Sequence, residues 1–325
     1  MVRRPARSTP RRRPAPRTLC VLSRKRSLYS TSRLLQAAKE QGLKATVLDT
    51  LRCHVLVERG APQIWSGTER VAPPDVLLPR IGSSVTAYGL AVVRQFEGMG
   101  VPVLNGSRAI ADSRDKLACL QHLATEGLAV PRTLLAHHRA SVPRLVEQVG
   151  GLPAIVKLIQ GTQGVGVMIA TTMEEAQALL NIFWDLGHDI LLQQFVRESQ
   201  GRDLRALVVG ERVVAAMRRQ AKEGEFRSNI HRGAEGTALE LPGDYAQVAG
   251  RAARGLGLEV AGVDMLEARR GPMVLEVNSS PGFEGLEAAT GVDIAGAIVR
   301  RAAELATRPA GPPVPRVLLA RPRRR

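Results

Sequence analysis

One stretch constrains this chain more than any other: Val263-Asp264-Met265-Leu266, a turn at Arg269-Arg270-Gly271, then Val274-Leu275-Glu276-Val277-Asn278-Ser279-Ser280-Pro281-Gly282. Two apolar runs with interleaved polar residues, joined by a short glycine-containing turn, predict a β-hairpin. With the turn centred near Arg270, Asp264 falls directly opposite Glu276. Like charges at an opposed cross-strand pair repel, so the hairpin is weakened by its own pairing. Removing either carboxylate is therefore expected to leave metal-free stability unchanged or higher. Asn278 lies two residues beyond Glu276 and shares its face, because strand side chains repeat with period two. One face thus gathers two carboxylates and an amide oxygen. Mg²⁺ takes hard oxygen donors of this kind, usually one or two carboxylates with water and substrate phosphates. An ordinary solvent-facing hairpin would fit the same residues, so the rest of the chain has to decide.

Toward the N-terminus, strands alternate with helices. Leu19-Cys20-Val21-Leu22 reads as a buried strand, Thr31 to Gln41 as a helix, and Lys44 to Leu48 and Val76 to Leu78 as further strands. A helix from Ala87 to Met99 then leads to Val101 to Leu104. The alternation predicts a parallel α/β layer of roughly 90 residues. No GxGxxG follows the first strand, so a dinucleotide site is unsupported. Arg80-Ile81-Gly82 stands at a strand end, where open α/β sheets bind ligands, although position alone favours a solvated loop arginine. Asp112 or Ser113 is placed to cap a helix carrying Asp115-Lys116 and the apolar Leu117, Leu120 and Leu123.

In the middle of the chain, Pro153 to Leu158 is a strand with a lone lysine, Lys157, among apolar neighbours. A lysine so placed must snorkel out or meet an anion. Gly161-Thr162-Gln163-Gly164-Val165-Gly166-Val167 follows directly. Glycines let a backbone approach phosphates and turn its N–H groups toward them. This is no Walker loop, because no GKS or GKT occurs and no helix follows at once; a plain hairpin turn is the alternative. Lysine and glycines together would address one polyphosphate. Ile190 to Val196 is a further strand, suited to a hinge that meets an adenine edge while Phe195 and Ile155 flank the ring. Gly201 to Arg205 opens another hairpin that ends in Arg218-Arg219, and Lys222, Arg227, Asn229, His231 and Arg232 follow it. This basic loop would face the acidic hairpin, and a polyanion between them would reconcile the two.

The formal net charge of +16 suggests nucleic acid until its location is considered. Residues 1–17 hold seven Arg and residues 308–325 hold six, with no acids in either, which leaves +3 for the body. Both tails are Arg/Pro-rich and read as disordered. The first lacks the apolar core of a secretory signal. Cys20, Cys53 and Cys119 show no metal or redox spacing, which favours a reducing compartment. His137-His138 forms no motif, and no apolar run approaches a membrane span.

Taken together, these residues resemble an ATP-grasp carboxylate–amine ligase of the RimK type, the enzymes that add glutamate to the C-terminus of a small-subunit ribosomal protein. The resemblance runs from Thr18 to Ala306. It rests on Leu22-Ser23-Arg24 with Leu28-Tyr29-Ser30, Pro79 to Gly82, Arg94-Gln95-Phe96-Glu97 and Arg114-Asp115-Lys116. Gly161 to Val167, Gly201 to Arg205, Lys222 to Asn229 and Glu276 to Gly282 complete it. The block Lys222 to Arg232 and the N-terminal pieces separate it from glutathione and D-alanine ligases. It implies an α/β (α+β) ATP-grasp fold, with a parallel α/β pre-ATP-grasp domain at 18–105 and the ATP-grasp domain at 106–306, between tails at 1–17 and 307–325.

By the same resemblance, Lys116 and Lys157 hold ATP phosphates under the Gly161, Gly164 and Gly166 lid. Gln194 and Phe195 form the adenine hinge, Asp203 takes the ribose hydroxyls, and Arg227, Ser228 and Asn229 line the nucleotide and the reacting end. Asp264, Glu276 and Asn278 hold two Mg²⁺, which Mn²⁺ can replace. The hinge usually reads Gln-Glu before its aromatic, and Gln194 departs from that pattern. Arg205 and Arg219, with Arg227, are the expected catalytic residues, the first two because a guanidinium grips a carboxylate bidentately. The implied partners are L-glutamate and the acidic C-terminal tail of a ribosomal protein, in the cytoplasm, for a homo-oligomer that uses no membrane and meets nucleic acid only through its tails. A related ligase that glutamylates a carrier protein or small peptide, and an RNA-binding protein acting through the Arg tails, are the alternatives. The tails lack the interleaved aromatics of single-strand binders.

Overall fold

Thr18–Leu22 (β1) is apolar and buried on both faces, as a strand covered from both sides requires. In the computed structural model, which describes residues 17–137, 139–158, 166–199, 201–222 and 235–307, it is the centre of a parallel sheet. Helix α1 (Tyr29–Glu40) carries the chain to β2 (Lys44–Leu48), which pairs with β1. A small antiparallel sheet of β3 (Cys53–Leu56), β4 (Gln63–Ser66) and β5 (Glu69–Arg70) intervenes before β6 (Val76–Pro79) pairs on the other side of β1. That small sheet is absent from the sequence reading. Gln95 on α2 (Thr86–Gly98) fixes it in place by donating to the carbonyls of Leu56 and Gln63. The expected strand at Val101 to Leu104 shrinks to one parallel bridge between Leu77 and Val103.

The expected cap at Asp112 or Ser113 is also corrected. Both residues lie inside α3 (Ser107–Arg114), whose start is held by Glu97, which accepts from Ser107 N and Oγ at 2.6 Å each. Asp115 is the true cap of α4 (Lys116–Thr125), accepting from the backbone of Leu117 and Ala118 at 3.0 Å. Lys116 therefore sits on the first turn of a helix with its start fixed.

The central unit comprises β7 (Thr133–Ala136), α5 (Val142–Gln148), β8 (Ala154–Leu158), β9 (Val167–Ala170), α6 (Met173–Asp185) and β10 (Ile190–Gln194), with its antiparallel sheet in the order β7-β10-β8-β9. Its core is its own, with Val146, Val156, Ala176, Leu180 and Leu192 at the centre. The last unit holds β11 (Arg202–Val209), β12 (Arg212–Gln220), β13 (Glu235–Ala238), α7 (Gly243–Gly255), β14 (Val260–Ala268), β15 (Gly271–Asn278), α8 (Glu284–Thr290) and α9 (Ile294–Leu305). Its five strands run β13-β12-β11-β14-β15, all antiparallel. Alternation sends Ala206 and Val208 into a core with α7, and Leu207 and Met217 into the opposite one.

That second core ties the two ends of the chain together. Leu19, Val21 and Leu34 pack in one cluster with Leu207, Met217, Phe283 and Ile298. Asn105 reinforces the joint. Its side-chain amide donates to the carbonyls of Val260 and Ser279 at 2.7 and 2.8 Å, and its oxygen accepts from the backbone of Glu259 and Val260. All four of its hydrogen-bonding positions are used in a side chain only 2 % exposed. The loop after β15 is thereby fixed to the N-terminal unit, while the central unit is packed around itself. No helix among the described residues is long and apolar enough to cross a membrane.

Candidate active site

Cross-strand pairing assembles the site on one face of the five-stranded sheet. Asp203 on β11 pairs with Arg219 on β12, and Arg205, two residues on, pairs with Asp264 on β14. Asp264 in turn pairs with Glu276 on β15, as the sequence implies. The route to that pairing differs, however. The turn contains only Arg269 and Arg270, and the ladder from Ala268–Gly271 up to Met265–Val274 would place Asp264 opposite Leu275. A β-bulge between Asp264 and Met265 shifts the register by one and brings Glu276 across instead.

The resulting row of charge is densely paired. Arg205 binds Asp264 in a fork, Nε to Oδ1 at 2.7 Å and Nη2 to Oδ2 at 2.6 Å. Arg219 binds Asp203 in the same way at 2.5 Å twice, and its Nη2 also lies 3.0 Å from Asp264 Oδ2. Burial alone would raise the Asp264 carboxyl, but the two guanidinia overturn that and hold it well below the usual carboxylate range. Burial alone would lower Arg219, and Asp264 and Asp203 reverse that too. Glu276 is left over. It is open to solvent, yet crowding by protein and then the neighbouring Asp264 carboxyl push it above its ordinary value. Asn278 donates to its Oε1 at 3.2 Å, so the three expected metal ligands do converge.

Two of the expected site residues are buried in this geometry. Arg219 is 2 % exposed and turned to Asp203 and Asp264. Asp203 is 4 % exposed with both oxygens on Arg219. Neither burial is visible without the strand pairing. The expectation that Asp264→Asn is harmless to metal-free stability also falls, because repulsion from Glu276 is outweighed by two guanidinia.

Opposite the acidic row stand the lysines. Lys116 Nζ donates to the Leu158 carbonyl at 3.1 Å, which joins α4 to the end of β8. Lys157 Nζ donates to Gln193 Oε1 at 2.6 Å, and Gln193 Nε2 donates on to Thr133 Oγ1 at 2.7 Å. Burial lowers the Lys157 ammonium to about 8, with Glu276 opposing the shift and Lys116 adding to it. Lys116 is lowered for the same first reason, again against the pull of Glu276. Both lysines therefore lie within electrostatic reach of Glu276. Gln193, which holds Lys157, is a residue of this site that sequence reasoning missed. Its signal was its place on the same face as Lys157, once β8 and β10 pair antiparallel with Leu191 opposite Lys157.

The hinge residues are arranged as follows. Gln194 N donates to Arg132 O at 2.8 Å, and its side-chain oxygen accepts from Arg132 N at 3.2 Å. That contact needs only an acceptor oxygen, which glutamine supplies as well as glutamate would. Gln194 and Phe195 line a cavity of about 470 Å³ with Gly150 to Pro153, Arg197, Glu198 and Arg269. Lys116, Lys157, Asp264 and Glu276 do not line it. Gly166 has a left-handed φ of +74°, and a Cβ there would meet Leu158 at 3.2 Å, so turn geometry already demands glycine. Gly161, Gly164, Arg227, Ser228 and Asn229 lie outside the described residues.

One side of the site thus carries Lys116 on α4 and Lys157 on β8, and the other the opposed carboxylates of β14 and β15. Residues 18–110 match the RimK PreATP-grasp domain and residues 113–302 the RimK-like ATP-grasp domain. The chain belongs to the RimK family of ATP-grasp ligases. It is 47 % identical over 297 residues to the Probable alpha-L-glutamate ligase of Chromohalobacter salexigens, covering 91 % of this chain and 98 % of that one. It is 49 % identical over 282 residues to the protein of the same name from Pseudomonas aeruginosa, covering 87 % and 94 %. Among solved structures, the ATP-grasp ligase PsnB complexed with a minimal precursor, Mg and ADP superposes with a TM-score of 0.70 at 23 % identity, over 90 % of this chain and 98 % of that chain. That last likeness concerns the fold.

Proposed function

We propose that this chain is an ATP-dependent ligase that adds L-glutamate to the C-terminal glutamate of a small-subunit ribosomal protein through an acyl phosphate. The observation that carries the reading is the convergence of Lys116 and Lys157 upon Glu276, with Glu276 paired to Asp264. A polyphosphate with a divalent cation satisfies both sides. The names of the two relatives supply the glutamate.

The donor set fits Mg²⁺. Arg205 and Arg219 occupy three of the four lone-pair positions of Asp264, and one remains where Glu276 lies within hydrogen-bonding reach. The excess negative charge of the opposed pair is what a divalent cation relieves. Asp264, Glu276 and Asn278 would hold it, and once bound it would neutralise charge on the phosphates and support in-line transfer. Mn²⁺, also an acceptor of hard oxygen ligands, is expected to substitute.

The residues of the chain do the rest. Lys116 and Lys157 orient the γ-phosphate. An oxygen of the acceptor carboxylate attacks phosphorus, the bond to the β-phosphate oxygen breaks, and ADP leaves. Arg205, 15 % exposed, faces the developing charge, while Arg219, itself anchored by Asp203, fixes its partner Asp264. The glutamate amine then attacks the acyl carbon, loses a proton and expels phosphate, leaving an amide. Gln194 and Phe195 would meet the adenine through the main chain. Three free, buried thiols suit a reducing cytoplasm.

Incubation with ATP, Mg²⁺, labelled glutamate and a panel of acceptors, followed by mass spectrometry, tests the reading. Glutamyl additions to the ribosomal protein tail are expected. Additions only to a carrier protein or small peptide would reassign the acceptor, and an absence of ligation with nucleic acid bound instead would overturn the enzyme assignment.

A further inference from the structure

Arg80 follows the last residue of β6, at the edge of the parallel sheet where open α/β sheets receive ligands. It is not a solvated loop arginine. Its side chain is half-buried, lies 5.7 Å over the centre of the Phe283 ring, and donates from Nη2 to the Pro281 carbonyl at 2.7 Å. Its Nε is shielded from solvent and has no acceptor among the described residues. Ser279 Oγ and Ser280 Oγ, in the same short loop, are in the same condition. Buried polar atoms without partners are costly and few in native proteins, and two in one loop, with a third on the arginine bonded to that loop, mark a place that a ligand completes.

The charge balance points the same way. Arg114, at the end of α3, donates to the carbonyls of Ile81 and Gly82 and to Thr86 Oγ1. Among the described residues, neutral oxygens alone hold Arg80 and Arg114, whereas Arg205 and Arg219 are forked onto carboxylates. Burial lowers the Arg80 guanidinium to about 10 and Arg114 adds to the effect, with no acid opposing it. Two neighbouring cations thus have no counter-ion among the described residues, and one of them, Arg80, touches the loop that begins directly after Asn278. The missing partner is an anion. Phosphate is already provided for by Lys116 and Lys157, so a carboxylate is the better fit.

We propose that Arg80, with Ser279 and Ser280, receives a non-reacting carboxylate of the incoming glutamate. This rests on the glutamate-ligase reading above. A guanidinium takes a carboxylate bidentately, and the two hydroxyls add donors. The serine side chains reach the ligand by turning about χ1. A carboxylate clamped in this way is held by its oxygens, so it serves recognition while the acceptor carboxylate reacts.

The test compares wild type with Arg80→Gln and Ser280→Ala at saturating ATP and acceptor, using L-glutamate, L-glutamine and L-isoglutamine as donors. Arg80→Gln should lower kcat/KM for glutamate roughly tenfold to hundredfold, chiefly through KM, and Ser280→Ala by a smaller factor of roughly three to ten. The donor that lacks the contacted carboxylate should be used equally well by wild type and variants. That donor is glutamine if the contact is to the γ-carboxylate and isoglutamine if it is to the α-carboxylate. An equal fall for all three donors, no fall for any, or a change confined to the acceptor KM would overturn the assignment. Ser280→Ala keeps the test decisive should Arg80→Gln fold poorly. Wild-type ligation of glutamate with unchanged variants overturns this inference alone, whereas wild type unable to use glutamate overturns the ligase reading and this inference with it.

Discussion

Asp264→Asn and Glu276→Gln remove the two halves of one cross-strand pair, and the structure assigns their effects opposite signs. Asp264 is 1 % exposed and carries a fork from Arg205 and a third contact from Arg219. Removing one partner of a buried ion pair costs roughly 3–5 kcal/mol, because the other charge is left uncompensated. Arg219 keeps Asp203 and Arg205 keeps some solvent, so the loss should fall near the low end, about 3 kcal/mol. Glu276 is solvent-accessible and repelled by Asp264, so Glu276→Gln should leave stability unchanged or raised. Urea unfolding in chelator, near neutral pH, measures both. The pH dependence gives a second check. A depressed carboxyl stabilises fully above its unfolded value, about 3.9 for aspartate, and loses that as pH falls through the folded value. The gap between wild type and Asp264→Asn should hold constant from neutrality to about pH 5 and narrow on further acidification. Glu276 runs the other way. Its contribution is complete below about 4.3 and is lost as pH rises through its raised value, a decline that Glu276→Gln should abolish. Both variants should nearly abolish ligation. An Asp264→Asn protein as stable as wild type, or a Glu276→Gln protein that falls equally far, would refute the electrostatic account.

Lys157→Ala should weaken ATP roughly tenfold to hundredfold in direct titration, as loss of a charge-assisted contact implies. Because burial holds Lys157 near 8 and phosphate would raise it, nucleotide binding above about pH 8 should take up a proton, visible by calorimetry in buffers of different ionisation heat; Lys157→Met should remove that uptake. Gln193→Leu strips the support of Lys157 and should show a smaller ATP defect. Asn105→Ala leaves four buried backbone groups unpaired and should cost about 2–4 kcal/mol in urea unfolding, since each such group is expensive. Lys222 is exposed beside β12, and Lys222→Glu should raise KM for an acidic acceptor and shorten the added glutamate chain, less so as salt screens beyond about 8 Å. Identical product ladders at low and high salt would remove Lys222 from the acceptor site.

Much of this was legible in the chain itself. The apolar runs at Leu19, Lys44 to Leu48 and Ala154 to Leu158 became strands where periodicity placed them. The pairing of Asp264 with Glu276 was also foreseen, although for an incomplete reason. A two-residue turn and a bulge gave the same pair as a turn centred on Arg270, and neither feature has a local signature in Met265 to Leu275. The sheet at Cys53 to Arg70 escaped because its strands are short and only half apolar, with order imposed by Gln95 from a helix. Gln193 and Asn105 escaped for a related reason. Each is a polar residue in an apolar neighbourhood, and its partners lie 36 to 174 positions away.

The burial of Arg219 illustrates what pattern alone cannot supply. Asp203, Arg205 and Arg219 look in sequence like a solvated cationic strand pair, and a guanidinium two residues from a carboxylate invites a substrate-binding role. Antiparallel pairing instead sets Arg219 against Asp203 and Arg205 against Asp264, with Arg219 and Asp203 at the closed end of the row and Glu276, beyond Asp264, at the open one. Compensation is therefore unequal along the row. Asp264, held by two arginines, is kept well below the usual carboxylate range, whereas Glu276 has, among the described residues, Asn278 donating to it and a like charge beside it. A cation arriving at this edge changes the state of Glu276 far more than that of Asp264. On this argument the two carboxylates of one hairpin have different duties: Asp264 fixes the position of the site through Arg205, and Glu276 responds to what enters it.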